Sequence, residues 1–576
     1  MLCFIYRKRK MFLKSLARVA GVGGAVSAAT LIKNRHKDPE PSWTPHQLPI
    51  NAERWENLQI KAQLLSNDME ANKTNTSNVP SDHEHQDEQE EEAVLDELAE
   101  TVTKPNEMSK QQAQAEKLKA AITKARNLVW CKMYESGAPG MVVCVSVNGK
   151  TVWQHGFGYS DLENHLLTGT GCVMRIASIS KSITMAVLAK LWEEGKIDID
   201  KNVTEYVPDF PKKVLDGKEV NITVRQLCCH MSGIRHYNRK GEKDEDEFCL
   251  KEYYIKDTFK TTDDSVALFK DDELLSAPGT EFNYTTHGFT LLAKVIENVV
   301  GEFIIFMYLQ PLIQSFTGEP FEKYMKKQFT LLGLENTYLD QAEPIIYNRA
   351  RYYIRDDHHR LKNAPYVDNS YKWAGGGFLS TVGDLIKFGN AMLYSYQQKN
   401  ANLSPQAKLP DSKSSDTCGP RGHVNNVVYQ PSPLSGVNTD QKTEKQVRYL
   451  PGYLSSETMT EVWRPQTGAD LSWGGHQMTY GLGWAVRPKR KNYGYCMDQK
   501  HYVSHTGGAI GASSVLLVAP APSPGQDKSK LPQGVVVAVL CNLQSVGLNK
   551  LAADVAAVFQ GLDLDKPVRV HKVYQC

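Results

Sequence analysis

A chain of 576 residues with 41% hydrophobic content, 9 Trp, 26 Tyr and 17 Phe has ample material for a large buried core. Its formal net charge of +2 leaves no electrostatic case for nucleic acid as a partner. The 11 cysteines include no C-x-x-C, and adjacent Cys228 and Cys229 lack zinc-ligand spacing, so packing thiols are expected rather than a metal or disulfide framework.

From Met1 to Lys37 there are nine Lys or Arg residues and no acid. Basic clusters flank an apolar, small-residue run from Val19 to Ile32, which is shorter than the roughly 17 to 25 residues a bilayer span needs. No A-x-A secretory cleavage site is evident. Residues 1–37 therefore read as a mitochondrial targeting segment, with Met11 an alternative start. Residues 38–110 lack an apolar period, and Asp82 to Glu100 hold ten acids without a Lys or Arg, so this segment is expected to be a disordered acidic linker.

A folded domain is expected over 111–565. Leu118, Ile122 and Leu128 recur at helical spacing, and two apolar runs then flank Asn148-Gly149, a strong hairpin signal. Residues 397–446, rich in Ser, Pro, Asn, Asp and Lys, read as a flexible insertion. Strand-like HYVSHTGG, ASSVLLVAP and GVVVAVLCNL follow, then helix-like GLNKLAADVAAVF and a tail over 566–576. The implied architecture is a sheet built from both ends of the chain, with a helical region inserted between them.

The segment MRIASISKSITMAVLAKLWEEGKIDID places Ser178 three residues before Lys181, with Ile183, Val187, Leu188, Leu191 and Trp192 continuing at helical spacing. Residues i and i+3 share one helix face, so the lysine can reach the serine hydroxyl. A serine alcohol is a poor nucleophile until a base takes its proton, and a desolvated lysine can serve. If Ser178 opens the helix, the positive field of the N-terminus also favours a developing oxyanion. By itself this spacing equally fits a plain helix start with a surface lysine.

Context separates the two. RIASISK, Arg175 to Lys181, resembles the nucleophile motif of the serine β-lactamase and penicillin-binding-protein superfamily. TVRQLCCHMSGI, from Thr223, resembles the H-x-S-G segment of its esterase and class C members. FNYTT, Phe282 to Thr286, resembles its second motif, Tyr-x-Asn. His505-Thr506-Gly507-Gly508 resembles the third, Lys-Thr-Gly, in a His form, and AGGGFLSTVGDLIKFGNAML, from Ala374, resembles its Gly-rich turn and helix. Longer strings such as VMRIASISKS and HYVSHTGGA look like the mitochondrial branch of that superfamily.

The resemblance implies an α/β (α+β) fold: an antiparallel sheet flanked by helices, a mostly helical lobe, and a site at their seam. It implies Ser178 as the acyl-forming nucleophile and Lys181 as its activating partner. Tyr284 is implied as a general base or proton shuttle whose pKa nearby cations lower, and His505 as the remaining catalytic side chain. The backbone N–H groups of Ser178 and Gly508 would form the oxyanion hole, with Thr286, Thr506 and Gly507 against the substrate. Glycine at 507 and 508 is expected because a substrate on that strand leaves little room for a Cβ. Thr286 stands where Asn is usual, and His505 where Lys is usual, so amide recognition and a fixed cation for a substrate carboxylate are both altered. No cofactor and no metal is required.

Beside this reading, His230 and His236 are expected to shape the cleft through local hydrogen bonds, and Cys228 and Cys229 to pack. His83-Glu84-His85-Gln86-Asp87-Glu88 nearly spells a metallo-β-lactamase motif, but its last His is Glu and its setting is an acidic run without a scaffold. FIIFMYLQPLIQSFT, within an atypical apolar insertion at 303–318, reads as an extra helix, a membrane-dipping hairpin or an annotation error. The resemblance implies a mitochondrial peptidase of the intermembrane space that influences lipid metabolism and assembles into filaments. Its substrate would be peptide or ester-like, with contact to the inner-membrane surface. The alternatives are a filament-forming scaffold with weak or no catalysis, and a small-ester or lipid hydrolase.

Overall fold

Asn148 and Gly149 both adopt positive φ, 50° and 78°, and so turn the chain through the two-residue hairpin that their types favour. They join β1 (Gly140–Val147) to β2 (Lys150–Asp161), with Val147 opposite Lys150. This is a computed structural model that describes residues 105–237, 251–308, 320–398, 452–471, 478–493, 497–522 and 532–562. The chain divides into two units, Met1–Glu84 and His85–Cys576, and every described residue belongs to the second. The targeting segment, the linker up to residue 104, the His83–Glu88 string, residues 399–446 of the long insertion and the tail lie outside the described residues.

The large sheet continues with β3 (Leu166–Leu167), β4 (Asp470–Leu471), β5 (Met478–Tyr480), β6 (Ala485–Arg487), β7 (Tyr502–Ala509), β8 (Ala512–Pro520) and β9 (Gly534–Cys541). Its nine strands run in the order β4-β5-β6-β7-β8-β9-β1-β2-β3, every neighbouring pair antiparallel. The pairing of β1 with β9, Val142 opposite Leu540, joins the two ends of the domain at mid-sheet. Every residue of β1 and β9 is buried, as continuous apolar runs covered on both faces require.

The longer helices among the described residues include α1 (Pro105–Ser136), α2 (Ile179–Glu193), α3 (Thr286–Tyr308), α4 (Val382–Gln397) and α5 (Asn549–Phe559). Cross-strand partners share a face, so Trp153, Val145, Val537 and Leu517 line one side and Ser146, Val536 and Val518 the other. α5 covers the first side, where Phe559 stacks on Trp153 with ring centroids 6.3 Å apart. α4 covers the second, where the Ser146 hydroxyl donates to Asn390 Oδ1 at 2.8 Å. Residues 105–110, expected in the linker, instead begin α1. Proline suits the first helical turn, where its missing N–H is not needed, so the helix extends back to Pro105.

The lobe beside the sheet holds α2, α3 and several shorter helices, and it meets the sheet where α2 packs on β7 and β8. The backbone of 303–308 continues α3, while residues 309–319 of the apolar insertion lie outside the described residues. Among the described residues no helix is long and apolar enough to cross a membrane.

Candidate active site

Ser178 stands at the N-cap of α2, with φ −66° and ψ −7°, and its hydroxyl is not spent on capping the helix. The turn before it is strained: Ala177 has φ +48°, a region non-glycine residues rarely occupy. The surrounding structure holds that turn in place. Arg175 pairs with Asp340 at 2.7 Å, donates to the Ile510 carbonyl at 2.9 Å, and lies over the Tyr352 ring at 4.4 Å. Both partners of the ion pair are buried, so removing one would cost about 3–5 kcal/mol. The Ser514 hydroxyl donates to the Ile176 carbonyl at 2.7 Å, tying the turn to β8.

α2 is buried on nearly every side, as a helix at the centre of a lobe must be, and Lys181 is 0% exposed. Its Nζ lies 3.2 Å from Ser178 Oγ, 3.3 Å from Thr286 Oγ1 and 2.5 Å from the Gly375 carbonyl oxygen. Burial drives the Lys181 pKa well below 10.5, and the charge of Lys372 adds to the effect. A neutral amine has two N–H donors and one lone pair. Once deprotonated, and with its donors given to Gly375 and Thr286, the amine has its lone pair left for the Ser178 hydroxyl, as a general base requires. Thr286, expected against the substrate, thus orients the lysine.

Tyr284 lies within hydrogen-bonding reach of the Ser178 side chain, and Lys181 Nζ sits 4.8 Å above its ring centroid. The expectation that cations lower its pKa is reversed: burial raises it, against a smaller opposing effect of the Ser178 hydrogen bond. Tyr284 is therefore a protonated phenol able to donate to Ser178 Oγ. His505 is 2% exposed, and burial with the nearby Lys181 pulls its pKa down to about 3. Its Nδ1 lies 2.7 Å from the Thr506 carbonyl, which only accepts, so Nδ1 carries the proton and Nε2 accepts from Tyr480 Oη at 2.8 Å. His505 is a neutral, fully engaged ring rather than a cation.

Gly507 and Gly508 differ in why they are glycine. A Cβ at 507 would collide with Ser514 Oγ and the Ile176 carbonyl, so the protein itself requires that glycine, whereas a Cβ at Gly508 would meet nothing within 4 Å. β7 is thereby held against the turn carrying Ser178, with Thr506 half-buried beside it. His230 Nδ1 accepts from the Thr285 N–H at 3.2 Å, and His236 Nδ1 accepts from the Thr286 N–H at 3.3 Å. Both cap the start of α3, the local shaping role expected of them. Cys228 and Cys229 are buried and unbridged, and burial raises both thiol pKa values.

Sequence reasoning missed Tyr480, which fixes the His505 ring, and Lys372, a buried lysine behind the site. The Gly-rich string from Ala374 was legible, and Lys372 stands two residues before it. No regular spacing marks either residue, because each reaches the site from a separate element.

A beta-lactamase family model matches residues 118–561, a span holding every site residue named above. The bovine (Bos taurus) serine beta-lactamase-like protein LACTB, mitochondrial, is 39% identical over 502 residues, covering 76% of this chain and 79% of the relative. The human (Homo sapiens) protein of that name is 39% identical over 497 residues, covering 76% and 80%. Among solved structures, EstCE1, a hydrolase with promiscuous acyltransferase activity, aligns over 77% of this chain and 99% of its own at 17% identity with TM-score 0.54. The octameric penicillin-binding protein homologue from Pyrococcus abyssi aligns over 76% of each chain at 22% identity with TM-score 0.50. These two likenesses speak for the fold alone. With the family model spanning the whole site and relatives 39% identical over most of their own length, this chain belongs to the beta-lactamase family, among its LACTB-type serine beta-lactamase-like members.

Proposed function

We propose that this protein is a mitochondrial serine hydrolase that cleaves a peptide or ester-like substrate through an acyl-enzyme on Ser178. The observation that carries the reading is the fully buried Lys181, its Nζ 3.2 Å from Ser178 Oγ and also in contact with Thr286 Oγ1 and the Gly375 carbonyl, with burial drawing its pKa down. Lys181 takes the Ser178 proton as Oγ attacks the carbonyl carbon. The oxyanion is held by the N–H groups of Ser178 and Gly508, each fixed donor contributing roughly 3 to 4 kcal/mol. The Tyr284 phenol relays a proton to the leaving group, and water then releases the acyl group. No metal or cofactor is invoked for these steps.

A peptidase is the preferred form of the reading, and an intermembrane-space setting, a link to lipid metabolism and filament assembly belong to the same proposal, for which the relatives' names support the mitochondrion alone. An intact nucleophile, base and phenol weigh against a purely structural filament subunit. An ester or lipid substrate differs only in the acyl donor, and Thr286 turned toward Lys181 removes one amide-reading group. The test is intact-protein mass after incubation with a fluorophosphonate. One stoichiometric adduct is expected, absent in Ser178→Ala and strongly slowed in Lys181→Ala. A folded wild type that forms no adduct refutes the reading and makes the scaffold alternative the leading one.

A further inference from the structure

The motif position at which the superfamily usually has Lys holds neutral His505, yet a different lysine lies beside the same site. Lys372 is 3% exposed and directly precedes the short helix Trp373–Gly376, whose Gly375 carbonyl binds Lys181. Its ammonium is caged by aromatic faces, 4.6 Å from the Tyr253 ring centroid, 5.0 Å from Tyr371 and 5.3 Å from Tyr237. Among the described residues it makes no hydrogen bond or ion pair. The nearby acid, Asp340, is already committed to Arg175 and Asn369.

Ring faces stabilise a cation but do not replace the hydrogen bonds a buried ammonium loses from water. An ammonium so placed keeps hydrogen-bonding capacity that an anionic group can take up. Tyr253 joins the cage to the site: it is only partly buried, and its hydroxyl donates at 3.2 Å to the carbonyl of Gly508, the expected oxyanion residue. Tyr253 is held from behind, since its neighbour Glu252 pairs with buried Arg235 at 2.8 Å and offers its own carbonyl to Tyr371 Oη at 2.6 Å.

We infer that Lys372 is the substrate-reading cation of this site, binding a carboxylate carried by the substrate while Ser178 attacks its carbonyl. The inference rests on the acyl-transfer reading above. It assigns to the Gly-rich element a role that the family's third motif lacks in this chain, and it makes the preferred substrate an anionic peptide or ester. The charged and titratable groups around Lys372 are Lys181, His236, Arg175, Asp340 and the three tyrosines.

The test compares mono-p-nitrophenyl esters of succinate, glutarate and adipate with neutral p-nitrophenyl butyrate, using the full chain. Wild type is expected to prefer at least one anionic ester. In Lys372→Met the anionic-to-neutral ratio of kcat/KM should fall roughly 10- to 100-fold, the worth of a charged hydrogen bond, and mainly through KM. Effects on Lys181 act on both substrates and cancel in the ratio. If the methionine variant does not fold, the wild-type pH profile decides. Burial and Arg175 bring the Lys372 pKa down to about 7, so the preference should decline as pH rises through that value. An unchanged ratio in a folded variant, a wild type without preference, or a ratio flat from pH 5.5 to 8.5 overturns the assignment. Loss of both ester turnover and the fluorophosphonate adduct would instead mark failure of the Ser178 reading, and this inference would fall with it.

Discussion

Gly507→Ala should disable the site although the added methyl touches no reacting atom. The new Cβ would lie closer than 3.0 Å to Ser514 Oγ and to the Ile176 carbonyl oxygen, and 2.9 Å from the Ala177 Cβ. The Ser514 hydroxyl can rotate away, but Ile176 O and Ala177 belong to the strained turn that presents Ser178. Relief therefore demands a shift of β7 relative to the turn of about 1 Å, given that ordinary carbon contacts lie near 3.5 Å. That shift separates the Ser178 N–H from the Gly508 N–H, the two expected oxyanion donors. A displacement of about 1 Å, or loss of one such donor, is worth roughly 100-fold in rate. Overpacking of this kind also costs about 1–3 kcal/mol, to be read as a lowered unfolding midpoint. The assay is the second-order rate of fluorophosphonate labelling, paired with thermal unfolding of the same samples. Ser514→Ala placed on top of Gly507→Ala should recover little, because the Ile176 carbonyl remains in the way. Gly508→Ala meets no protein atom and should fold normally, so any loss there belongs to the substrate's side of the strand. Labelling of Gly507→Ala within threefold of wild type at an unchanged unfolding midpoint would refute the argument that the glycine sets the spacing of the oxyanion hole.

Two further outcomes follow from the ionisation of the site. Activity should rise with pH as Lys181 loses its proton, and Tyr284→Phe should lower kcat roughly 100-fold or more while keeping that rise, because the phenol stays protonated. Disappearance of the pH dependence in Tyr284→Phe would instead make the tyrosine the base. His505 has a folded pKa of about 3 against 6.5 for a free imidazole, so between those values the unfolded chain binds more protons and stability falls as pH falls. His230, His236 and His287 are depressed in the same direction, so His505→Gln should flatten only part of the slope of unfolding midpoint between pH 7 and 5. Equal slopes in the two proteins would show that His505 is not protected from protonation in the folded state.

The local features of this protein are written locally. Ser178 and Lys181 lie three residues apart on a helix, and 3.6 residues per turn puts them on one face whatever surrounds them. Asn148 and Gly149 tolerate positive φ, so the hairpin between β1 and β2 follows from the residues that make it. Alternation and continuous apolar runs marked the central strands, and a sheet drawn from both chain ends was legible from where those runs fall. The ordered motifs then pointed to the family and to the residues that meet at the site.

What needed the tertiary structure is the state of those residues. The Lys181 pKa is drawn down because α2 is buried all round, and desolvation depends on neighbours far apart in sequence. Tyr284 has its pKa raised rather than lowered for the same reason. Burial holds His505 neutral while Tyr480 fixes its ring, and Gly507 is required by Ser514 and Ile176, contacts no spacing rule predicts. Lys372 carried no signal of its own, since a lysine three residues before a glycine run reads as surface until Tyr237 and Tyr253 from other segments join its neighbour Tyr371 around it. Sequence by itself determined which side chains share a helix face or a turn, because covalent geometry sets those distances. Only the fold decided which of them are dry, charged or paired, because solvent exclusion is a property of the packed whole.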